Sequence, residues 1–218
     1  MKKLVFLGCL IVFLPAIGFG QEKVDAPVWN EGDKWTFSGD GSIQVIKADP
    51  KGYILKFSEK ICIFESQGCG SILFDKSTLN RMNVVNGEKR KKYTLGLRKI
   101  FDFPLGIGRD WKYAYSAMAF FGFRKGKFSF DYSEHYSVAG WEEVEVRAGK
   151  FKDLRLEYKR VVTGSSSQWS GGIGDEIKNQ YWYSPAVKYF VKCQYDKDWS
   201  KENKEVFSWE LTSFQLKK

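Results

Sequence analysis

Histidine is almost absent from this chain of 218 residues, which contains only His135. A zinc site built from two or three histidines therefore cannot form, and a histidine general base could come from one position alone. Helical patterning is missing too, because no run of ten or more residues has a convincing apolar stripe at a period of 3.6. These absences argue against histidine-based catalysis and against a helical fold.

Cysteine and proline are sparse, with 4 and 5 residues respectively. Three cysteines follow the N-terminal segment, an odd number for a compartment in which disulfides form. A local disulfide between Cys62 and Cys69 is the simplest pairing, although spacing alone does not settle the connectivity. Cys193 has no convincing general base among its neighbours in sequence, so we predict a buried structural cysteine rather than a nucleophile. No metal site and no cofactor are expected.

The first 20 residues have the pattern of a secretory signal peptide. Two lysines precede an apolar stretch from Leu4 to Leu14, and small residues follow it at the positions that a signal peptidase recognises. The two alternative cleavage sites lie after Gly20 and after Gly18. Because the apolar stretch is shorter than the ~20 residues that span a bilayer, an uncleaved membrane anchor is the less favoured alternative.

Cys9 follows a glycine, as the modified cysteine of a lipoprotein does, but the apolar core continues beyond it, which disfavours lipidation. We therefore predict an exported protein, periplasmic or secreted, that is not an integral membrane protein once the signal peptide is removed. The expected organisation is a signal peptide over 1–20, a short linker over 21–27 and a single β-rich domain over 28–218. The composition, 43% hydrophobic and 17% aromatic, is sufficient for one packed core.

Basic residues exceed acidic ones by 35 to 26, which gives a formal net charge of +9, or +7 without the two lysines of the signal segment. Outside the cytoplasm, such a charge favours anionic lipid headgroups, lipopolysaccharide or acidic wall polymers over nucleic acid as partners. The densest basic runs are Lys89–Lys92 and Arg124–Lys127. Solvated hairpin tips that keep sheet edges apart are the simpler interpretation of both runs.

Strand patterns run through the chain from Trp29 onward. Three short runs of β-branched and aromatic residues, Ile43–Lys47, Tyr53–Phe57 and Ser71–Asp75, are bounded by turn residues and predict an antiparallel meander. A longer alternation then places five apolar side chains on one face of a strand: Phe128, Phe130, Tyr132, Tyr136 and Val138. The predicted fold class is all-β, an antiparallel meander forming a barrel or half-barrel.

A tight hairpin turn is predicted at Gly149, between two runs with strand patterning. Glu143 and Glu145 lie two positions apart on the first run and therefore face the same way. Such a pair of carboxylates could serve acid–base chemistry, but ion pairs with Arg155 or Lys159 on the second run are the simpler expectation.

Two more connections are indicated near the end of the chain. The segment Gly164–Gly174 is rich in glycine and serine and predicts a long flexible connection, with Trp169 on a mobile lip. Tyr181–Tyr195 predicts two strands separated by a turn at Ser184-Pro185. On the alternating strand before them, His135 falls on the polar face, where a lone solvent-side histidine is the simpler interpretation than a catalytic base.

Four segments, taken in order, resemble a group of exported bacterial domains of unknown function. These segments are Val28–Phe37, Phe103–Trp111, Gly140–Phe151 and Tyr181–Lys188. In that group a W..GD.W entry, a FPL..G..W segment, a V.VPAGTF hairpin and a YWYSP or YWYAP turn recur in the same order. The resemblance implies a β-rich, barrel-like or half-barrel fold, similar in outline to lipoprotein-carrier domains, and it brings no catalytic residues.

The chain departs from that pattern at three positions. Arg147 and Lys150 stand where the group usually has Pro and Thr, and Lys188 stands where it often has Gly. Gly149 and Phe151 are retained, so the hairpin itself is still expected.

Aromatic residues are abundant, with 8 Trp, 11 Tyr and 18 Phe, more than one core of this size needs. We therefore expect a non-catalytic exported protein that binds an apolar or amphipathic, lipid-like ligand in the cell envelope. The expected partners are a lipid or envelope glycolipid and an envelope protein. The candidate ligand-binding residues are Phe128, Phe130, Tyr132, Tyr136, Trp169 and Trp182.

Two alternatives remain open at this point. An envelope structural or assembly partner would use the edges of the sheet. A carbohydrate-binding module would use exposed indole rings as stacking platforms, with Trp29, Trp111, Trp169 and Trp182 as the candidates. An enzyme is not expected, because no nucleophile, base and orienting group fall into a recognisable arrangement.

Overall fold

Eleven antiparallel strands form one sheet in the part of the chain that the computed structural model describes, residues 22–58, 70–85, 98–121, 126–166, 169–195 and 208–218. The strands are β1 (Lys34–Phe37), β2 (Gly41–Asp49), β3 (Gly52–Phe57), β4 (Gly70–Phe74), β5 (Arg81–Val85), β6 (Asp110–Phe121), β7 (Gly126–Val146), β8 (Gly149–Ser166), β9 (Trp169–Ser184), β10 (Tyr189–Tyr195) and β11 (Trp209–Gln215). A single 3-10 turn, Ser38–Asp40, separates β1 from β2. Within these ranges no helix is long and apolar enough to cross a membrane.

The order of strands across the sheet is β5-β4-β3-β2-β1-β11-β10-β9-β8-β7-β6. Two meanders are thus joined in the middle by β1 and β11, which lie at opposite ends of the sequence. Among the described strands, β5 and β6 are the two edges, and the sheet is not closed between them. The prediction of an all-β half-barrel is confirmed.

Strands β2 and β3 contain the first two runs predicted as a meander, and β4 contains the third except for its last residue, Asp75. Alternation explains their orientation: Ile43 and Val45 are buried, whereas Gln44 between them is exposed. The turn from β2 to β3 depends on Gly52, whose φ of +148° is rare for any other residue. A Cβ at this position would lie 2.2 Å from the Phe74 carbonyl oxygen, so only glycine fits.

The hairpin of β7 and β8 is the longest in the sheet as described, with strands of 21 and 18 residues. Val146 pairs with Gly149, which leaves two residues in the turn and confirms the predicted hairpin. The Ala148 amide in that turn donates a hydrogen bond to the Leu211 carbonyl of β11 at 3.1 Å. The end of the hairpin is therefore attached to the middle of the sheet.

The glycine- and serine-rich segment Gly164–Gly174 does not form the predicted long connection. Instead β8 and β9 continue to pair through it, with Thr163 opposite Gly174 and Ser166 opposite Trp169. The prediction was wrong because the hydrogen bonds of a sheet are made by the backbone, and a neighbouring strand can hold glycine and serine in an extended conformation. The side chains of residues 165–175 lie outside the described part of the structure.

The core is dominated by aromatic rings. Trp29 lies edge-on against Trp35 at 5.9 Å between ring centroids and against Tyr53 at 5.4 Å. Both indole N–H groups donate to backbone carbonyls in the turn between β9 and β10, from Trp29 to Lys188 at 2.9 Å and from Trp35 to Val187 at 2.8 Å. Each ring is thus packed and its polar atom is satisfied.

Residues 98–109, here called the connector, run from the β5 edge toward the β7 side of the sheet. At one end, the Arg98 backbone exchanges two hydrogen bonds of 3.1 Å with Arg81 of β5. At the other end, Gly108 donates to the Val138 carbonyl at 3.0 Å, and Val138 donates to the Arg109 carbonyl at 2.8 Å. The connector therefore bridges the two halves of the open sheet across its inner face, the face that turns toward the core.

Candidate functional site

The register of β6 to β9 places three rows of side chains on the inner face, because antiparallel partners point to the same side. The rows are Trp111, Tyr136, Tyr158 and Asn179; then Tyr113, Glu134, Arg160 and Ile177; then Tyr115, Tyr132 and Val162. A carboxylate and a guanidinium therefore lie side by side in the central row, surrounded by aromatic residues.

Glu134 is completely buried and accepts four hydrogen bonds. One carboxylate oxygen accepts from Arg98 Nε at 2.9 Å and from the Tyr136 hydroxyl at 3.3 Å. The other accepts from the hydroxyls of Tyr158 at 3.0 Å and Tyr115 at 3.2 Å. Since a carboxylate has about four acceptor positions, these partners use its whole capacity.

The electrostatics of this cluster keep Glu134 ionised. Burial by itself raises the pKa of the Glu134 carboxyl, but the charge and hydrogen bond of Arg98 and the hydrogen bond of Tyr158 outweigh it and hold the pKa below its ordinary value. Burial raises the pKa of the Tyr158 phenol well above its ordinary value, so this hydroxyl stays protonated and remains a donor. A carboxylate occupied in this way is arranged to organise its neighbours rather than to remove a proton from a substrate.

Arg160 lies on the other side of the same row. Its guanidinium is 5.9 Å from the centre of the Tyr132 ring, and that ring is stacked almost parallel on Tyr115 at 4.8 Å. Tyr113 stacks on Tyr115 in turn, at 5.6 Å. Half-buried rings with a cation at their border therefore extend from the cluster along β6 and β7.

A cavity of about 40 Å³ lies between the inner face and the connector. Its walls are mostly aromatic and aliphatic, with Arg98 as the charged group: Phe37, Ser38, Ile43, Arg98, Ile100, Tyr136, Tyr181, Tyr189, Phe190 and Trp209. One water needs roughly 10–15 Å³, so the space holds a few waters. A ligand with an acyl chain would enter only if these walls moved apart.

The outer face of β7 to β10 forms a wider groove of about 510 Å³, with polar walls that include His135, Glu157 and Lys178. The Nε2 atom of His135 forms a hydrogen bond with the Asp110 carboxylate of β6. This arrangement agrees with the expectation of a solvent-side histidine on the polar face. Among the described residues, no three His, Cys, Asp or Glu side chains lie close enough together to share a metal ion.

The predicted ligand-binding residues do not all come together. Tyr136 is buried in the cluster, and Phe130 and Tyr132 are half-buried on the same face, with ring centroids 6.4 Å apart. Trp182 lies on another surface of the sheet, where its Nε1 donates to Glu142 at 2.8 Å. Phe128 and Trp169 belong to β7 and β9, but their side chains lie outside the described part of the structure.

The expectation that exposed tryptophan rings could stack on a carbohydrate is wrong for three of the four candidates. The exposed fraction of the residue is 1% for Trp29, 4% for Trp111 and 6% for Trp182. These rings are buried because they fill the core or cover strands, and their N–H groups find partners inside the protein. Three of the four candidate platforms are thereby removed, and the side chain of Trp169 is not described.

The expected partners of the glutamates on β7 also change. Arg155 pairs with Glu142 at 3.2 Å, and Glu145 pairs with Lys150 at 3.1 Å. The reason is a bulge between Val138 and Gly140, which shifts the register by one residue and puts Glu142 rather than Glu143 on the face of Arg155. Lys159 pairs with Glu176 of β9 at 2.9 Å.

Several other predictions fall on residues outside the described part of the structure. These are the signal segment 1–20, Cys62 and Cys69, and the basic residues Lys89–Lys92, Arg124 and Lys125. Cys193 is described and is buried, as predicted.

Glu134, Arg98 and Arg160 were missed by the sequence analysis. For Glu134 a signal was present, since it occupies an even position in the same alternation as Tyr132 and Tyr136 and must share their face. Arg160 likewise alternates in step with the apolar residues Tyr158 and Val162 of β8 and must share their face. Arg98 had no comparable signal, because it lies in the connector, where no periodic pattern assigns a direction to its side chain.

No protein-family model and no curated protein sequence matches this chain. Among solved structures, it is similar to a hypothetical lipoprotein from Parabacteroides distasonis, with 13% identity and a TM-score of 0.49 over 89% of this chain and 100% of the other. It is also similar to the hypothetical lipoprotein YmcC from Escherichia coli, with 9% identity and a TM-score of 0.41 over 87% and 89% of the two chains. A hypothetical exported protein with a YmcC-like fold from Bacteroides fragilis gives 11% identity and a TM-score of 0.40 over 89% and 99%. These likenesses concern the fold alone.

Proposed function

We propose that this chain is an exported, non-catalytic protein of the cell envelope that binds an amphipathic, lipid-like ligand against the inner face of its sheet. One observation carries the proposal: half-buried aromatic rings on β6 and β7 lead directly into a buried cluster of fixed charges. Apolar surface beside a few fixed polar groups is the usual composition of a small-molecule site.

The two parts of the site have different tasks. The rings of Tyr113, Tyr115, Phe130 and Tyr132 provide apolar surface that is only half-covered by the protein itself. Beside them, the Arg98–Glu134 ion pair and its tyrosine hydroxyls fix the polar border of that surface. A ligand with one apolar and one polar end matches this division.

Export is part of the proposal and is supported by the signal-like pattern of the first 20 residues. The first test is native mass spectrometry, with lipid extraction, on protein purified gently from an exporting host. We expect one co-purifying lipid or glycolipid per chain. A ligand-free mass, combined with no binding of a dansyl-labelled fatty acid after delipidation, would overturn the proposal.

A substitution at Phe130 distinguishes a ligand surface from ordinary core. Because the ring is half-buried, Phe130→Ala should cost less than the about 3–5 kcal/mol typical of a fully buried phenylalanine. It should weaken binding of the dansyl-labelled fatty acid about threefold to tenfold, as expected for losing part of an apolar contact. Urea unfolding and fluorescence titration give the two readings.

Phe214→Ala is the matched control, since this exposed phenylalanine of β11 contacts Phe151 and lies far along the sheet from β6. Its removal should leave the affinity for the fatty acid unchanged. A full core-sized loss of stability at Phe130 with unchanged affinity would show that this ring belongs to the core and not to a binding surface.

An assembly role is the second candidate, and the observation that favours it is the β6 edge. Within the described sheet, β6 is a 12-residue strand that pairs with β7 on one side only. A strand edge offers backbone groups to which an extended segment of another protein can add. Cross-linking from Lys112 on β6 in the native envelope would identify such a partner.

A further inference from the structure

The cluster around Glu134 has more positive than negative charge. Its described side chains include two guanidinium groups, those of Arg98 and Arg160, and a single carboxylate. Charges that are removed from water are costly unless an opposite charge and hydrogen bonds compensate them. One cation in this half-buried region is therefore left without a counter-ion among these groups.

Arg160 is the cation that has no hydrogen-bonded counter-ion among these groups, although the charge of Glu134 acts on it at longer range. Glu134 cannot serve it by hydrogen bonding, because Arg98 and three tyrosine hydroxyls already fill its acceptor positions. The Nε of Arg160 is buried and makes no hydrogen bond to any residue within the described ranges. Among the side chains that the structure describes, no carboxylate forms a salt bridge with Arg160 either.

The position of Arg160 on an aromatic ring favours one kind of ligand. The Arg160 guanidinium carbon lies 5.9 Å from the centre of the Tyr132 ring, and a guanidinium can form two parallel hydrogen bonds to a planar or tetrahedral oxyanion. Tyr115, stacked on Tyr132, extends the platform toward Tyr113. The site thus offers a cationic end followed by apolar rings.

From this geometry we infer that Arg160 binds an oxyanion, a carboxylate or a phosphate, and that this anion is the head group of the amphipathic ligand. The second half of the inference rests on the proposed function, whereas the oxyanion site does not. The apolar part of the ligand lies along the rings of Tyr113, Tyr115 and Tyr132.

The test compares dodecanoate with dodecanol, which have the same apolar chain and differ in charge. Both displace a dansyl-labelled fatty acid from delipidated protein, and inorganic phosphate is titrated separately by calorimetry. Wild-type protein should bind dodecanoate at least about tenfold more tightly than dodecanol, the factor expected from a charge-assisted hydrogen bond. In Arg160→Gln this preference should vanish while dodecanol binding stays the same, and Arg160→Lys should keep part of it.

Two further variants control the experiment. Lys159→Gln removes a neighbouring positive charge on the opposite face of β8 and should keep the preference for dodecanoate. Asp175→Asn tests the rival counter-ion, because the backbone register of β9 puts Asp175 two residues from Ile177, the partner of Arg160. If wild-type protein binds no anion and Asp175→Asn gains binding, the inference is overturned.

The remaining outcomes separate the two proposals. Equal binding of dodecanoate and dodecanol by wild-type protein overturns the oxyanion site and leaves the proposed function standing. Phosphate binding that depends on Arg160, without binding of either dodecyl compound, supports the oxyanion site and contradicts the lipid-like ligand. If none of the three compounds binds, both proposals fail.

Discussion

Glu134 illustrates how a charged side chain is kept inside an aromatic interior. Four donors surround its carboxylate, one of them charged, and the resulting hydrogen bonds offset the cost of removing the charge from water. The tyrosines contribute both rings and hydroxyls, so the same residues build the apolar wall and satisfy the carboxylate. Side chains of the protein thus occupy all the hydrogen-bond acceptor positions of the Glu134 carboxylate.

Asp153 is the contrasting case. This residue of β8 is buried, and neither carboxylate oxygen makes a hydrogen bond of ordinary geometry to a described residue. Burial raises the pKa of the Asp153 carboxyl from 3.8 to about 6, and the nearby Ser184 hydroxyl offsets that effect only in part. Folding therefore favours the neutral form of this acid up to about pH 6.

The pH dependence of stability follows from this shift. Because the pKa of Asp153 is raised on folding, its favourable contribution is complete below about pH 4 and is lost as the pH rises through about 6. Asp153→Asn should remove this dependence and increase the free energy of unfolding at pH 8 by up to about 3 kcal/mol, the equivalent of two pKa units. Urea unfolding at several pH values between 4 and 8 measures the difference.

Asp131→Asn provides the control, since this aspartate of β7 is exposed. Its stability profile should run parallel to that of the wild type. Parallel profiles for Asp153→Asn and wild type would contradict the assignment of the buried carboxyl as the group that titrates.

At the scale of elements, turns and bulges determine which side chains meet. The bulge at Val138 shifts the far part of β7 by one residue, and Val138 accepts one hydrogen bond from the connector and donates another to it. Bulges commonly redirect a strand beside a functional site. Here the bulge divides β7 into a part that contains Glu134 and a part that leads to the turn bonded to β11. On the inner face, the residues of β7 have even numbers before the bulge and odd numbers directly after it.

The β2–β3 turn gives a prediction at this scale. Gly52→Ala combines an unfavourable φ with a Cβ that would collide with the backbone of Phe74, and together these effects should cost about 2–5 kcal/mol of stability. Gly140→Ala, at a position with no atom within 4 Å and no positive φ, should change stability by less than about 0.5 kcal/mol. Thermal unfolding distinguishes the two variants, and equal midpoints would show that the turn tolerates a side chain.

At the scale of the whole molecule, the connector holds an open sheet together. Phe101 in the connector is buried and stacks on Phe190 of β10 at 5.2 Å, with Tyr183 of β9 edge-on at 5.8 Å. The connector also carries Arg98 into the cluster at Glu134. Its packing and the proposed binding site are therefore coupled, and a large ligand would have to displace part of the connector.

Removing the Phe101 ring tests this coupling. Phe101→Ala should lower the free energy of unfolding by about 3–5 kcal/mol, with backbone and aromatic signals still changing in one transition. Near- and far-ultraviolet circular dichroism during urea unfolding supply both signals. An early separate transition in the aromatic signal would instead mean that the connector detaches while the sheet stays folded.

The sequence alone was sufficient for the all-β class, the meander and the β7–β8 hairpin, because alternation and turn chemistry are local properties. The turn itself lies at Arg147 and Ala148, just before the predicted Gly149. It was insufficient for the segment Gly164–Gly174, where pairing with a neighbouring strand overrides flexible composition. The tryptophans show the same limit, since an aromatic residue looks alike in a core and on a binding surface until its neighbours are known.

Only the tertiary structure decided the sheet order and the site. The pairing of β1 with β11 joins opposite ends of the chain, and the hydrogen bond from Arg98 to Glu134 joins residues 36 positions apart in sequence. Periodicity assigns a side chain to a face, but it does not say which distant residue covers that face. Contacts of this kind depend on register, curvature and the path of the connector, which are properties of the folded chain as a whole.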